Sequence, residues 1–210
     1  MLLGHNCVCA VEVEPYCQEI LLQRQRDGIL PRFPIWGDIR TFNGRPWRGI
    51  ADIVAGGYPC QGFSNAASGR NLEEKDISHE FVRVVSEVLP AHVLGENVSR
   101  AAVVRVCEDL RDLGYVCRFG KVSASMLGAD HDRPRWWLRA YSDLHSELRR
   151  AKHAEVAVLP KLRDGVWEAF PDELRMADGL ANRMDRLSAA GNGQVPIVAA
   201  TAWNLLKPTQ

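Results

Sequence analysis

A thiol, a carboxyl and a pair of guanidiniums fall in order along this chain, as Cys60, Glu96, Arg133 and Arg135. As a thiolate, Cys60 is a nucleophile that can form a covalent intermediate, and nearby arginines favour the thiolate and can hold an anionic group. A partly buried glutamate keeps its proton to higher pH and can donate it. On its own, Cys60 reads sooner as a small buried hydrophobe, which most free cysteines are, than as a nucleophile. Whether the four residues form one site depends on the elements that carry them.

Those elements read as strands alternating with helices. Ala51 to Ala55 is a short apolar run with the pattern of a buried strand. Gly56 and Gly57 then let other groups approach the backbone, and Pro59 fixes the chain just before Cys60. Gln61, Gly62 and Ser64 continue as a polar loop. Ile77 to Leu89 is helical and Pro90 breaks it; Ala91 to Gly95 is the next buried strand, ending at Glu96-Asn97-Val98. Ala101 to Leu113 is an amphipathic helix, and Tyr115–Ala124 and Trp136–Tyr141 are strands flanking the loop that carries Arg133 and Arg135.

Upstream, Val8 to Val13 is a strand closing on Glu12 and Glu14, Pro15 opens a helix through Arg26, and Phe33 to Ile39 is a short strand closing on Asp38. An acid at such a strand end can accept from the ribose hydroxyls of a nucleotide-type cofactor, or sit solvated near a helix amino end. At the other terminus, Gly191-Asn192-Gly193 leads through Val195-Pro196 into a helix over Ile197–Leu206. The alternation implies an α/β fold whose sheet is mostly parallel, with helices on both faces. The last strand pair lacks a helix between its members, which implies an antiparallel end. Cys60 and Glu96 then meet at one sheet edge, where open α/β sheets place their chemistry.

The length suits one domain of ordinary size or one with a small appendage, and 46% apolar against 25% charged residues supports a sizeable core. No apolar run approaches the ~20 residues of a bilayer span, and Met1-Leu2-Leu3 leads into no signal-peptide core. The expectation is a cytoplasmic protein with no membrane association. Six scattered cysteines without a C-x-x-C pair point to reduced thiols and to no metal site. Net charge is zero, yet His131 to Arg163 holds eight Lys/Arg against four Asp/Glu. That run reads either as a solvated surface or as a phosphate-contacting face.

Taken together, Pro59-Cys60-Gln61 with Phe63-Ser64, Glu96-Asn97-Val98, Arg133-x-Arg135, and Gly191-Asn192 with Val195-Pro196 resemble the DNA (cytosine-5)-methyltransferases, and in particular the short phage and prophage forms. The resemblance covers nearly the whole chain and implies a Rossmann-like sheet, S-adenosylmethionine as methyl donor with S-adenosylhomocysteine as product, and double-stranded DNA as partner. It implies Cys60 as the nucleophile on C6 of a flipped-out cytosine. Glu96 is implied at N3 and the exocyclic amine, Arg135 near O2, and Arg133 toward backbone phosphates. Glu12 is implied at the cofactor ribose, Val13 against the adenine, Asp38 and Ile39 as the adenine-contacting pair, and Pro59 with Asn192 and Gly193 on the methionine side. Gln61 and Ser64 are implied in the loop that closes over DNA.

Three departures from the family pattern shape further expectations. The family's opening strand and Phe-x-Gly-x-Gly-Gly turn have no counterpart, since Met1 to Asn6 reads as the helix after that turn. A chain without the turn is expected to hold S-adenosylmethionine poorly. Only about fifty residues separate Tyr141 from Gly191, so the expected division is a catalytic domain at 1–141, a reduced target-recognition region at 142–189 with Arg149, Arg150 and Lys152 on phosphates, and a returning helix at 190–210. Sequence specificity is expected to be low and the protein a monomer. His131 stands where the family usually has Gln. Two other functions compete: a remnant that acts at most as a DNA-binding module, and a thiol hydrolase pairing Cys60 with a histidine, although His92 lies inside a strand.

Overall fold

The computed structural model describes residues 3–59, 77–142, 154–155 and 193–207. The elements in chain order are β1 (Ala10–Val11), α1 (Pro15–Arg26), β2 (Ile35–Trp36), β3 (Ile53–Gly57), α2 (Ser78–Val88), β4 (His92–Asn97), α3 (Arg100–Asp112), β5 (Tyr115–Val122), β6 (Arg135–Ser142), β7 (Ala154–Glu155) and α4 (Pro196–Leu205). Short 3-10 turns at Ile39–Thr41, Arg45–Trp47 and Ser125–Leu127 join them.

The main sheet has the order β3-β4-β6-β5-β7. β3 pairs parallel with β4, and β6 runs antiparallel to both β4 and β5. The antiparallel strand expected from the helix-less connection is present, but it is β6, inserted between β4 and β5 and not at the end of the sheet. A second expectation is corrected. β1 and β2 form a separate two-stranded parallel ladder, Ala10 opposite Ile35 and Val11 opposite Trp36. Each strand is two residues long, and among the described residues no ladder joins them to β3. The apolar stretches Val8–Val13 and Phe33–Ile39 are thus mostly extended loop, and Asp38 instead caps a 3-10 turn by accepting the Arg40 N–H.

Period-two alternation assigns the two faces of the main sheet. Val93, Cys117, Phe119, Leu138 and Ala140 point to one face and are covered by α2 and α3. α3 sends Ala102, Val103, Val106, Cys107 and Leu110 into that layer, an i, i+1, i+4, i+5, i+8 stripe, and Ser99 caps its amino end. Leu94, Val122 and Trp137 face the other side, where α4 lays Val198, Ala202 and Trp203 against them. Burial of this apolar area holds both layers on the sheet.

α2 ends at Leu89, which takes a left-handed conformation with φ of 53° before Pro90. The residue before proline is sterically barred from continuing the helix, and Leu89 escapes through the left-handed region, where a Cβ costs about 1–2 kcal/mol. Leu89→Gly should therefore stabilise the protein by about 0.5 kcal/mol, once the flexibility glycine adds to the unfolded chain is offset. Urea unfolding at constant m-value measures this; a loss of stability would mean that packing of the half-exposed Leu89 side chain outweighs backbone strain.

Candidate active site

β3 and β4 run parallel and β6 returns antiparallel, so the carboxyl ends of the first two and the amino end of the third share one sheet edge. Register fixes the neighbours: Gly57 lies opposite Glu96, and Glu96 opposite Trp137. Arg135, two residues before Trp137 on β6, stands on the same face as Glu96. Its Nε donates to Glu96 Oε1 at 2.9 Å, with the two side chains 21% and 12% exposed. The other carboxylate oxygen is 2.9 Å from where a Cβ at position 57 would stand, so Gly57 is what lets Glu96 fold over the end of β3.

Arg133 donates to the Gly193 carbonyl at 2.9 Å, which ties the loop before β6 to the start of α4. Glu96, Arg133, Arg135 and Trp137 with Gly193, Gln194, Val195 and Val198 line a small cleft. Burial pushes the Glu96 carboxyl above its ordinary range, against the opposing pull of Arg135 and Arg133. Burial and the neighbouring Arg135 push the Arg133 guanidinium below its ordinary value. The cleft can thus present a carboxyl that gains a proton readily, beside two fixed cations.

The chain entering this edge from β3 is held by Asn97. Its Nδ2 donates to the buried Tyr58 carbonyl at 2.8 Å, while its Oδ1 accepts the Ser99 N–H at 2.9 Å. The Tyr58 ring packs on Phe81 of α2, centroids 5.4 Å apart. One side chain therefore joins the end of β3, the end of β4 and the amino cap of α3. Pro59 is exposed next to this anchor.

α4 is fixed at its far end by two arginines opposite one another on β5 and β6, Arg118 and Arg139. Arg139, 5% exposed, stacks on the Trp203 ring at 3.7 Å and donates to the Trp203 carbonyl at 2.7 Å. Arg118 donates to the Lys207 carbonyl. Cations at a helix carboxyl end oppose its dipole favourably.

Glu12 and Asp38 follow β1 and β2 at the same end of the ladder, where the Glu12 N–H donates to the Trp36 carbonyl. Glu12 Oε1 accepts the Glu14 N–H at 2.9 Å. Val13 is 60% exposed, open to a partner surface. The Asp38 carboxylate is held below its usual range by the Arg40 guanidinium, at 2.6 Å from Nη2, and by the Arg40 N–H. Ile39 packs against Phe42 of the following loop and Val84 and Val88 of α2. Of the residues the sequence singles out, Cys60, Gln61, Ser64, Arg149, Arg150 and Asn192 lie outside the described residues. The sequence reading missed Gln194 and Trp137 as cleft walls and the Arg139–Trp203 stack. Trp137, Arg139 and Tyr141 occupy alternate positions of β6, a signal that was present in the sequence.

Residues 1–188 match the family model of the C-5 cytosine-specific DNA methylases, and the chain belongs to that family. Among curated proteins it is similar to the type II methyltransferase M.NgoMIV of Neisseria gonorrhoeae, 32% identical over 143 residues, covering 63% of this chain and 43% of the relative. The chain thus spans less than half the length of the curated relatives it first matches. Among solved structures, a Spodoptera frugiperda DNMT2 mutant superposes with a TM-score of 0.57 at 15% identity, covering 76% of this chain and 49% of that one. The Dnmt2 methyltransferase of S. pombe gives 0.52 at 22% identity, covering 72% and 44%. These likenesses define the fold as the Rossmann-like methyltransferase sheet.

Asn97→Ala should destabilise the protein by about 1–3 kcal/mol, because the Tyr58 carbonyl loses its donor in a buried setting. Chemical unfolding measures it; a change below about 0.5 kcal/mol would show that water replaces the amide at this edge.

Proposed function

We propose that this chain methylates C5 of cytosine in double-stranded DNA with S-adenosylmethionine as the methyl donor, through a covalent bond from Cys60 to C6. The observation that carries the reading is the partly buried Glu96–Arg135 pair at the sheet edge that also holds Tyr58 and Pro59, the residues that precede Cys60 in sequence. Family membership sets the reaction class, and this pair supplies the chemistry the class needs.

Glu12 fits the cofactor's ribose hydroxyls: it stands at the end of the β1–β2 ladder and is bound through only one oxygen, leaving acceptor sites. Asp38, at the same end, has both oxygens taken by Arg40, so it meets the adenine by exchanging part of that ion pair. Val13 and Ile39 offer apolar surface for an adenine, and Pro59 with Asn192 and Gly193 close the methionine side. When bound, S-adenosylmethionine supplies an electrophilic methyl group.

The protein's own residues prepare the base. Cytosine is flipped out of the duplex, because C6 is unreachable in the stack. Glu96, whose carboxyl burial pushes above its ordinary range, donates a proton to N3 and accepts from the exocyclic amine. Protonation at N3 draws electrons from C6 as the Cys60 thiolate adds there, and C5 becomes an enamine carbon able to take a methyl. Arg135, whose Nε holds Glu96 and whose Nη1 donates to the Pro134 carbonyl, offers Nη2 toward O2. Arg133 faces phosphate. Loss of the C5 proton and expulsion of Cys60 release the product.

Residues 1–141 serve as the catalytic unit. The reduced recognition region at 142–189 contributes Arg149 and Arg150 to phosphates, Gln61 and Ser64 belong to the loop closing on DNA, and the helix at the carboxyl end returns to the cleft. The protein acts as a monomer, in the cytoplasm of a bacterial or phage-infected cell.

Incubation with DNA containing 5-fluorocytosine tests the reading, because fluorine at C5 blocks elimination. A covalent protein–DNA adduct that requires S-adenosylmethionine and disappears in Cys60→Ser is expected. DNA binding without any adduct would contradict methyl transfer and favour a DNA-binding module instead.

A further inference from the structure

Glu80, Arg83 and Glu87 lie along one stripe of α2, at i, i+3 and i+7. Arg83 Nε donates to Glu80 Oε2 at 2.6 Å and Nη1 to Glu87 Oε1 at 2.9 Å. The same guanidinium turns outward to a different segment. Nη1 donates to the Phe42 carbonyl at 2.9 Å and Nη2 to the Ile39 carbonyl at 2.6 Å, more than forty positions away in sequence. Glu87 reaches the same loop through Oε2, which accepts the Gly44 N–H at 2.7 Å, and its own carbonyl accepts from Arg48 Nε at 3.1 Å.

An exposed ion pair on a helix contributes little by itself. Here the two acids do something else: they fix the guanidinium plane so that its remaining N–H groups meet two peptide carbonyls at once. The side chains of Arg83, Glu80 and Glu87 are 31%, 15% and 19% exposed, partly shielded from water. Beneath the polar contacts, Phe42 packs on Val84 and Val88. The loop approaches so closely that a Cβ at Gly44 would stand 3.0 Å from Val88 Cγ2. The segment Ile39–Gly44 is thereby locked to α2 by apolar packing below and a guanidinium fork at its edge.

We propose that Arg83 is a positioning residue for cofactor binding: its fork over the Ile39 and Phe42 carbonyls sets the backbone that presents Asp38 and Ile39 to the adenine of S-adenosylmethionine. The proposal rests on the assignment of those two residues to the cofactor made above. α2 also buries Phe81 and Val85 in the layer that holds Tyr58, so one helix references both the cofactor loop and the chain leading to Cys60.

The test compares wild type with Arg83→Met and Arg83→Lys. Arg83→Met removes two charge-assisted hydrogen bonds to the loop, so the KM and Kd for S-adenosylmethionine should rise about tenfold or more, with kcat at saturating cofactor within about twofold. Arg83→Lys should not restore affinity, because an ammonium cannot span two carbonyls as a planar fork does. In both variants amide exchange over 39–44 should accelerate while exchange in β4 and α3 stays as in wild type. Unchanged exchange at 39–44, unchanged cofactor affinity, recovery by lysine, or a parallel fall of kcat and melting temperature would each overturn the proposal. Failure of the wild-type chain to bind S-adenosylmethionine would count against the cofactor assignment itself, and the exchange pattern would still decide whether Arg83 holds the loop.

Discussion

The contact on which the site depends is the one between Glu96 and Arg135. A carboxylate this deeply placed loses hydration, and a guanidinium at 2.9 Å returns only part of that loss. Burial prevails, so the carboxyl is pushed upward in spite of two neighbouring arginines. That outcome is a consequence of topology. β6 must enter the sheet antiparallel beside β4 for Arg135 to lie across from the end of β4, and β3 must end in a glycine for Glu96 to bend over it. Trp137 and Val198 then close the apolar wall that keeps the carboxyl dry.

Other features of the structure hold that geometry in place. Asn97 fixes the chain leaving β3 relative to the cap of α3. Arg139 and Arg118 grip the carboxyl end of α4, and Arg133 takes the Gly193 carbonyl at its beginning. The helix that supplies one wall of the cleft is therefore held by arginines at both ends, from the sheet at one and from the loop before β6 at the other. Burying Arg139 without a carboxylate partner is costly, and its guanidinium falls below the usual value through burial. The stack on Trp203 and the helix carbonyl offset that cost in a way an apolar residue would not, by fixing the helix along its axis.

Much of this was legible in the sequence. Apolar runs, prolines and glycines placed β3, α2, β4, α3, β5, β6 and α4 within one or two residues, because each has a clear period or stop signal. The sequence brought Glu96 and the loop of Arg133 and Arg135 toward one site, but the Glu96–Arg135 ion pair needs β6 beside β4, which the fold shows. The first forty residues were harder to read. β1 and β2 look like full strands by composition, but only two residues of each find a ladder partner, and α1 buries no residue. The role of Arg83 was invisible for another reason. The spacing of Glu80, Arg83 and Glu87 is an ordinary solvated helix pattern, and only the fold reveals that its hydrogen bonds end on backbone carbonyls of a distant loop. Asp38 looked like a free acceptor in sequence, yet Arg40 occupies its carboxylate.

Burial dominates at Glu96, leaving a carboxyl that keeps its proton to higher pH than an ordinary glutamate. A carboxyl whose folded pKa is raised binds its proton more tightly than the unfolded chain does, so its contribution to stability is present below the ordinary glutamate pKa and is lost as pH rises through the folded value. The most direct measurement is the carboxyl carbon-13 shift of Glu96 followed through a pH titration, assigned by comparison with Glu96→Gln. The account predicts a midpoint above the ordinary glutamate range near ~4.3. A midpoint at or below that value would mean that Arg135 and Arg133 hold the carboxylate ionised, and the protonated glutamate would have to be abandoned.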